Sequence, residues 1–178
     1  GHAYGPVIDA VSEQLALGAS YSRPASIELD FANDFIDAVP GAERVKFARS
    51  GSAVTTAAVK LARAFTGRDL VAYPSNQPFF SYDDWFVGQT LCNAGVPKAI
   101  QSLSLLYDST QPETLKDLFD ANPGQIACVI TEPQDAIPAD PGAIQEVERI
   151  TRHHGALFVL DEMVTGYRGG MPGMGMGM

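Results

Sequence analysis

Five strand-length segments, at residues 44–48, 70–73, 102–106, 126–131 and 156–160, most of them apolar, constrain this chain more than any other feature. The stretches between them are long enough for helices, and residues 53–65, 112–121 and 143–154 place apolar side chains at helical spacing. Parallel strands need a crossover of that length, and a sheet buried on both faces reads as near-continuous apolar sequence. The pattern predicts an α/β fold of three layers, a mostly parallel sheet with helices on both faces. Residues 44–48, 53–65 and 70–73 form its first βαβ unit. Ahead of it, apolar residues recur at helical spacing over 7–17 and 27–39, broken by Arg23-Pro24 and ended by Pro40-Gly41, so residues 1–40 read as a helical lead-in. Residues 74–78 read as a loop, and 81–101, rich in aromatics, Gly and Pro, show no clear period.

Ligands of a parallel sheet sit at the carboxyl ends of its strands, so the first polar residue after each run is a candidate. Val159-Leu160-Asp161-Glu162-Met163-Val164-Thr165-Gly166-Tyr167-Arg168 runs from an apolar strand into two carboxylates and a Thr-Gly turn. Asp161 either faces a bound group or serves locally, capping the turn or pairing with Arg168; the strand alone leaves both readings open. The run 126–131 likewise delivers Glu132-Pro133. Ser50-Gly51-Ser52 stands between a strand and a helix, where free backbone N–H groups, a glycine and two hydroxyls suit a phosphate. A plain serine N-cap is the structural use of the same residues. No Gly-x-x-x-x-Gly-Lys-Ser/Thr is present, so a nucleoside-triphosphate loop is unsupported. In Gln77-Pro78-Phe79-Phe80-Ser81-Tyr82-Asp83-Asp84-Trp85-Phe86, the two phenylalanines read as core residues or as a face for a planar ligand.

These segments together resemble the class III (fold type I) pyridoxal-phosphate-dependent aminotransferases, nearest to the glutamate-1-semialdehyde aminomutase-like branch. The resemblance runs from Gly1-His2-Ala3-Tyr4 to about Gly173, with several motifs in the family's order. The family's Ser-Gly-Thr/Ser turn falls on Ser50-Gly51-Ser52 and its Ala-Arg-x-x-Thr-Gly-Arg signature on residues 62–68. Its Tyr-His-Gly falls on Phe79-Phe80-Ser81, its Glu-Pro on Glu132-Pro133, and its Asp-Glu-x-x-Thr-Gly-aromatic-Arg on residues 161–168.

The resemblance implies pyridoxal 5'-phosphate as the cofactor. Ser50, Gly51 and Ser52 would hold its phosphate, Phe79 and Met163 its two ring faces with Phe80 alongside, and Asp161 its ring nitrogen, with Glu132 supporting from the neighbouring strand end. The chemistry itself requires an acid there: the cofactor draws electrons only while its ring nitrogen is protonated, and a buried carboxylate keeps the proton in place. The implied function is transfer of an amino group within or between small molecules, by an aminotransferase or aminomutase that works as a cytoplasmic homodimer. The sequence departs from the family where Ala53-Val54 replaces the usual Glu-Ala, and where the segment after Glu132-Pro133 lacks the usual Gly-Asn pattern, which leaves the partner of the cofactor's phenolic oxygen unassigned, with Gln134 as a candidate.

The same chemistry needs a lysine amine, which the family carries beyond the Thr-Gly-aromatic-Arg motif. Lys46, Lys60, Lys98 and Lys116 all precede Asp161; Lys46 falls in an expected strand, and the others read mainly as solvated charges. Residues 1–168 are therefore expected to be a partial large domain from the middle of a longer enzyme. The rival reading is a non-catalytic module of the same fold, or an inactive fragment, serving assembly or ligand binding.

With 21 acidic residues against 12 basic and a net charge of -9, the chain lacks the basic surface of a nucleic-acid binder. No apolar run approaches the roughly 20 residues that cross a bilayer, and no basic-then-apolar leader opens the sequence. Hydrophobic residues make up 46% of the 178, enough for the core of one domain. Cys92 and Cys128 stand apart without metal-ligand spacing and read as buried thiols, so no metal is expected. His153 and His154 read as helix C-terminal caps. Residues 169–178, mostly alternating Gly and Met, read as an unpacked or non-native tail, with thioether copper coordination as the rival chemistry.

Overall fold

The computed structural model describes residues 2–39, 41–76, 79–133 and 141–167. Gln77-Pro78, Gln134, Arg168 and the tail 169–178 lie outside the described residues. The chain divides into two compact units, Gly1–Val45 and Lys46–Met178.

The first unit holds the two expected lead-in helices, α1 (Gly5–Leu17) and α2 (Ser26–Ala38). Pro6 sits in the first turn of α1, where its missing N–H costs no hydrogen bond. The Tyr21 hydroxyl, 2.9 Å from the Gly18 carbonyl, ties down the chain where α1 ends. The Glu28 carboxylate accepts the Ala25 amide at 2.8 Å and so caps α2. Neither helix has a buried residue; Val7, Ile8, Val11 and Leu15 of α1 all remain exposed.

The second unit is built on four parallel strands in the order β2-β1-β3-β4: β1 (Leu70–Pro74), β2 (Ser104–Tyr107), β3 (Ile126–Thr131) and β4 (Leu157–Leu160). Its helices are α3 (Gly51–Thr66), α4 (Asp84–Val87), α5 (Lys98–Gln101), α6 (Glu113–Ala121) and α7 (Pro141–His153). Helix α3 buries Ser52, Thr55, Val59 and Ala62, a helical stripe whose apolar members pack on one face of the sheet with Val71, Tyr73, Cys128 and Ile130. Leu115 and Phe119 of α6 and Val147 and Ile150 of α7 pack on the other, with Ala72, Ile126 and Val129. The α/β class and the three layers are those the sequence predicts. All six residues of β3, the apolar run 126–131, are buried, since this strand is covered above, below and on both sides. Its register against β1 slips between Leu70 and Val71, so the adjacent Ala127 and Cys128 both join the α3-side core.

Several expectations need correction, among them a buried Cys92. Residues 44–48 form no strand: they pair with none of the four strands and are largely exposed, and β-forming side chains make a strand only where an edge offers backbone partners. No first βαβ unit therefore precedes β1, which itself extends through Pro74, expected as loop. The featureless stretch 81–101 contains α4 and α5, held by side chains rather than by a repeating pattern: Gln89 donates to the carbonyls of Gln101 and Ser104, at 2.6 and 3.1 Å. Cys92 is exposed, whereas Cys128 is buried and desolvation pushes its thiol up to about 12. His154 stacks on Phe119 with ring centroids 4.4 Å apart, at the end of α7. Among the described residues no helix is long and apolar enough to cross a membrane.

Candidate active site

The strand order creates the site. From β1 the chain proceeds to β2 on one side, then returns past β1 to reach β3 and β4 on the other. Connections that diverge in this way leave a crevice at the carboxyl ends of the strands they leave. Phe79 and Phe80 follow β1, Glu132 follows β3 and Asp161 follows β4.

Leu160 pairs with Thr131, and the Asp161 amide donates to the Thr131 carbonyl at 2.8 Å, so Glu132 and Asp161 end neighbouring strands side by side. Both are buried. Asp161 Oδ1 accepts the Met163 amide at 3.0 Å, the local turn that was one of its two expected roles. Its Oδ2 is buried and meets no partner among the described residues. Desolvation raises the Asp161 pKa, and the Met163 amide offsets this only in part. A buried acceptor left unmet costs about 1–3 kcal/mol, a deficit that a charged donor would remove.

Helix α3 opens on the Ser-Gly-Ser turn. The Ser50 hydroxyl accepts the Ala53 amide at 3.2 Å, a serine N-cap. The amides of Gly51 and Ser52 have no carbonyl within the helix to meet them and point out of its positive end, which suits an anion. The Ser52 side chain is buried and its Oγ accepts the Tyr82 amide at 3.3 Å. Met163 lies directly on Gly51: a Cβ at that position would stand 1.6 Å from the Met163 sulfur. Glycine therefore allows the β4 turn to close onto the start of α3.

Phe79 and Phe80 have different environments. Phe80 is fully buried at 0% exposure, against the rings of Tyr73 and Phe86 with centroids 6.1 and 5.7 Å away. Phe79 stands edge-on to Phe86 at 5.6 Å and is 52% exposed, close to the 50% of Met163. Only Phe79 of the pair presents an open face to a ligand. A flat, phosphorylated ring carrying a protonated nitrogen fits what these residues offer: two open amides, two half-exposed apolar surfaces and one unmet carboxylate oxygen.

The signature 62–68 lies at the other end of the sheet. Gly67 caps α3 with φ 68, a left-handed conformation that glycine adopts without penalty. Arg68 Nη1 lies 3.0 Å from the carbonyls of both Ile126 and His154, and Arg63 Nε donates to the Asp69 carbonyl at 2.8 Å. Of the lysines, Lys46, Lys60 and Lys98 are exposed and Lys116 pairs with Asp120 on α6. Sequence reasoning passed over Thr55, Thr56, Asp83 and Trp85, whose polar atoms join α3 to the 80–85 segment. The available signal was a Thr-Thr pair in an Ala-rich helix together with an acid-and-aromatic cluster. Thr165, also passed over, is buried with no partner for its hydroxyl among the described residues.

The sequence profile of the family described as aminotransferase class-III matches residues 1–175. Glutamate-1-semialdehyde 2,1-aminomutase of Tropheryma whipplei is 35% identical over 189 residues, covering 97% of this chain and 41% of its own length. The enzyme of the same description from Chloroflexus aggregans is 32% identical over 181 residues, with 94% and 41% covered. Thus the chain spans about 41% of the length of these curated relatives. Among solved structures, the PLP internal aldimine form of the FumI protein of a Sphingopyxis species superposes with a TM-score of 0.85 at 26% identity, covering 94% of this chain and 41% of that one. An omega-transaminase from Sphaerobacter thermophilus gives a TM-score of 0.83 at 25% identity, with 93% and 42% covered.

Proposed function

The chain belongs to the class-III aminotransferase family, and from that premise we propose that it is the cofactor-binding part of a pyridoxal-phosphate-dependent aminotransferase or aminomutase. The Oδ2 of Asp161, buried at the end of β4 with no partner among the described residues, carries the reading. Bound pyridoxal 5'-phosphate supplies an electron sink for bond cleavage at the carbon that bears the amine. Asp161 Oδ2 holds a proton on the ring nitrogen, and Glu132 supports the site from the end of the neighbouring strand. The Gly51 and Ser52 amides bind the phosphate, with Ser50 holding the helix end in shape. Phe79 and Met163 enclose the ring and exclude water from its faces. The substrates are a small amino donor and a keto or aldehyde acceptor, and the assembly is a cytoplasmic homodimer. Residues 1–168 form part of the large domain, and the amine-bearing lysine comes from the rest of the protein.

The test is titration of the whole protein with pyridoxal phosphate, followed by visible absorption and by intact mass after borohydride reduction. The expected result is a saturable band and one cofactor adduct, with affinity at least about tenfold weaker in Asp161→Ala, the loss of roughly one charged hydrogen bond. A parent protein that binds no pyridoxal phosphate overturns the proposal and returns the chain to the scaffold reading.

A further inference from the structure

Beside the candidate site, three side chains and one amide close a hydrogen-bonded ring. Thr56 Oγ1 donates to the Asp83 carboxylate. A hydroxyl has one proton to give, so the 3.3 Å contact between the Thr56 and Ser81 hydroxyls is a bond donated by Ser81. Ser81 Oγ in turn accepts the Asp83 amide at 3.0 Å. The protons then run one way around: Asp83 amide to Ser81, Ser81 to Thr56, Thr56 to Asp83 carboxylate. Trp85 Nε1 donates to the remaining lone pair of Thr56 at 2.8 Å, which saturates that oxygen. Ser81 is fully buried, so the ring is shielded where it crosses from the loop to the helix.

Two further bonds lie on either side. Thr55 Oγ1 is 2.9 Å from the Phe80 carbonyl, and the Tyr82 amide reaches Ser52 Oγ at 3.3 Å. Residues 80–85 are thereby clamped to the first two turns of α3, the helix whose opening amides form the anion site. The Tyr-His-Gly pattern of the resemblance has glycine where this chain has Ser81, and glycine could not close the ring.

We infer that Ser81, Thr56 and Asp83 are positioning residues that lock the phosphate turn and the stacking face of Phe79 into one body. The inference rests on the proposed cofactor site and deepens it: the ring sets where the aromatic face stands relative to the bound phosphate, without touching either.

Ser81→Gly, Thr56→Val and Thr56→Ser in the whole protein test it. Three quantities are read: the dissociation constant for pyridoxal phosphate, the induced circular dichroism of the cofactor band at saturation, and the unfolding midpoint without cofactor. Ser81→Gly and Thr56→Val are expected to weaken binding about three- to tenfold, the value of one net hydrogen bond, and to alter the saturated dichroism. Thr56→Ser keeps the proton and both lone pairs and restores both readings. A purely structural ring would lower the unfolding midpoint and leave the dichroism of the saturated protein as in the parent. That result, or affinities within twofold of the parent in both ring-breaking variants, overturns the inference. If Thr56→Val does not fold, Ser81→Gly, which removes only a hydroxymethyl group, decides alone. A parent protein that binds no pyridoxal phosphate overturns the proposed function and this inference with it, whereas parent binding with silent variants overturns this inference only.

Discussion

Arg68 and Asp161 stand at opposite ends of one sheet, and their hydrogen bonds contrast. Arg68, just before β1, lies within bonding distance of the Ile126 carbonyl at the start of β3 and the His154 carbonyl just before β4, so its guanidinium gathers the amino ends of three strands. Asp161, just after β4, uses one oxygen on its own turn and leaves the other buried with no partner among the described residues. The first arrangement is met by carbonyls of the chain itself; the second, on the proposed function, is met by the bound cofactor. A fold can carry such a deficit because it is small beside the apolar burial of the strands, where each fully buried Val or Ile contributes about 1.5–3 kcal/mol. The same division recurs within two residues at the carboxyl end, where Phe80 is core and Phe79 is open surface.

Phe80 should show the largest effect. Phe80→Ala empties a site between Tyr73 and Phe86 and is expected to cost about 3–5 kcal/mol in urea unfolding, whereas Phe79→Ala costs under about 1 kcal/mol and weakens pyridoxal phosphate binding instead. Equal losses of stability at the two positions would erase the division between core and site. Next in size is Arg68→Ala, expected to cost about 2–3 kcal/mol by denaturant unfolding while cofactor affinity in the folded protein stays within twofold. A loss of affinity at Arg68 as large as that of Asp161→Ala would show that the two ends are not separable.

Asp161→Asn sharpens the contrast through pH. Because desolvation raises the folded-state pKa above the unfolded one, the cofactor-free protein binds this proton more tightly when folded. Its stability is therefore expected to fall as pH rises from the ordinary aspartate range near 4 through the raised folded value, and to stay lower above it. Asp161→Asn should lack that slope and be the more stable of the two empty proteins at neutral pH, while binding pyridoxal phosphate less well. Unfolding across a pH series checks this, and an unchanged slope in the variant would assign the titration to another group. The smallest stability effect is expected at Gly51. Gly51→Ala must displace the half-exposed Met163 sulfur but gains helix propensity, so stability should change by under about 1 kcal/mol while cofactor affinity falls.

Much of this was legible in order along the chain. Residues 126–131 read as a strand with the observed bounds, and the helical stripes at 7–17, 27–39, 53–65, 112–121 and 143–154 all became helices, extended or trimmed at their ends by a few residues. The motifs placed Asp161 and Glu132 at strand ends and Ser50-Gly51-Ser52 at a helix start. Side-chain periodicity follows from local backbone geometry, which is why such features survive in a one-dimensional record. Residues 81–101 were opaque for the complementary reason: Gln89, Tyr73 and Ser104 hold that segment through bonds to distant carbonyls, and those leave no period.

The sequence by itself determined the type and order of the four strands and of five of the described helices, the parallel sheet and the family, because each depends on local period or on motifs met in succession. Only the tertiary structure decided that residues 44–48 join none of the four strands, that Phe80 is buried and Phe79 is not, that Arg68 clasps strand starts, and that Ser81 closes a ring with Thr56 and Asp83. Each of those outcomes depends on which groups meet across long stretches of chain, and a hydrogen bond or a packed ring exists only when its partner has been brought within a few ångströms.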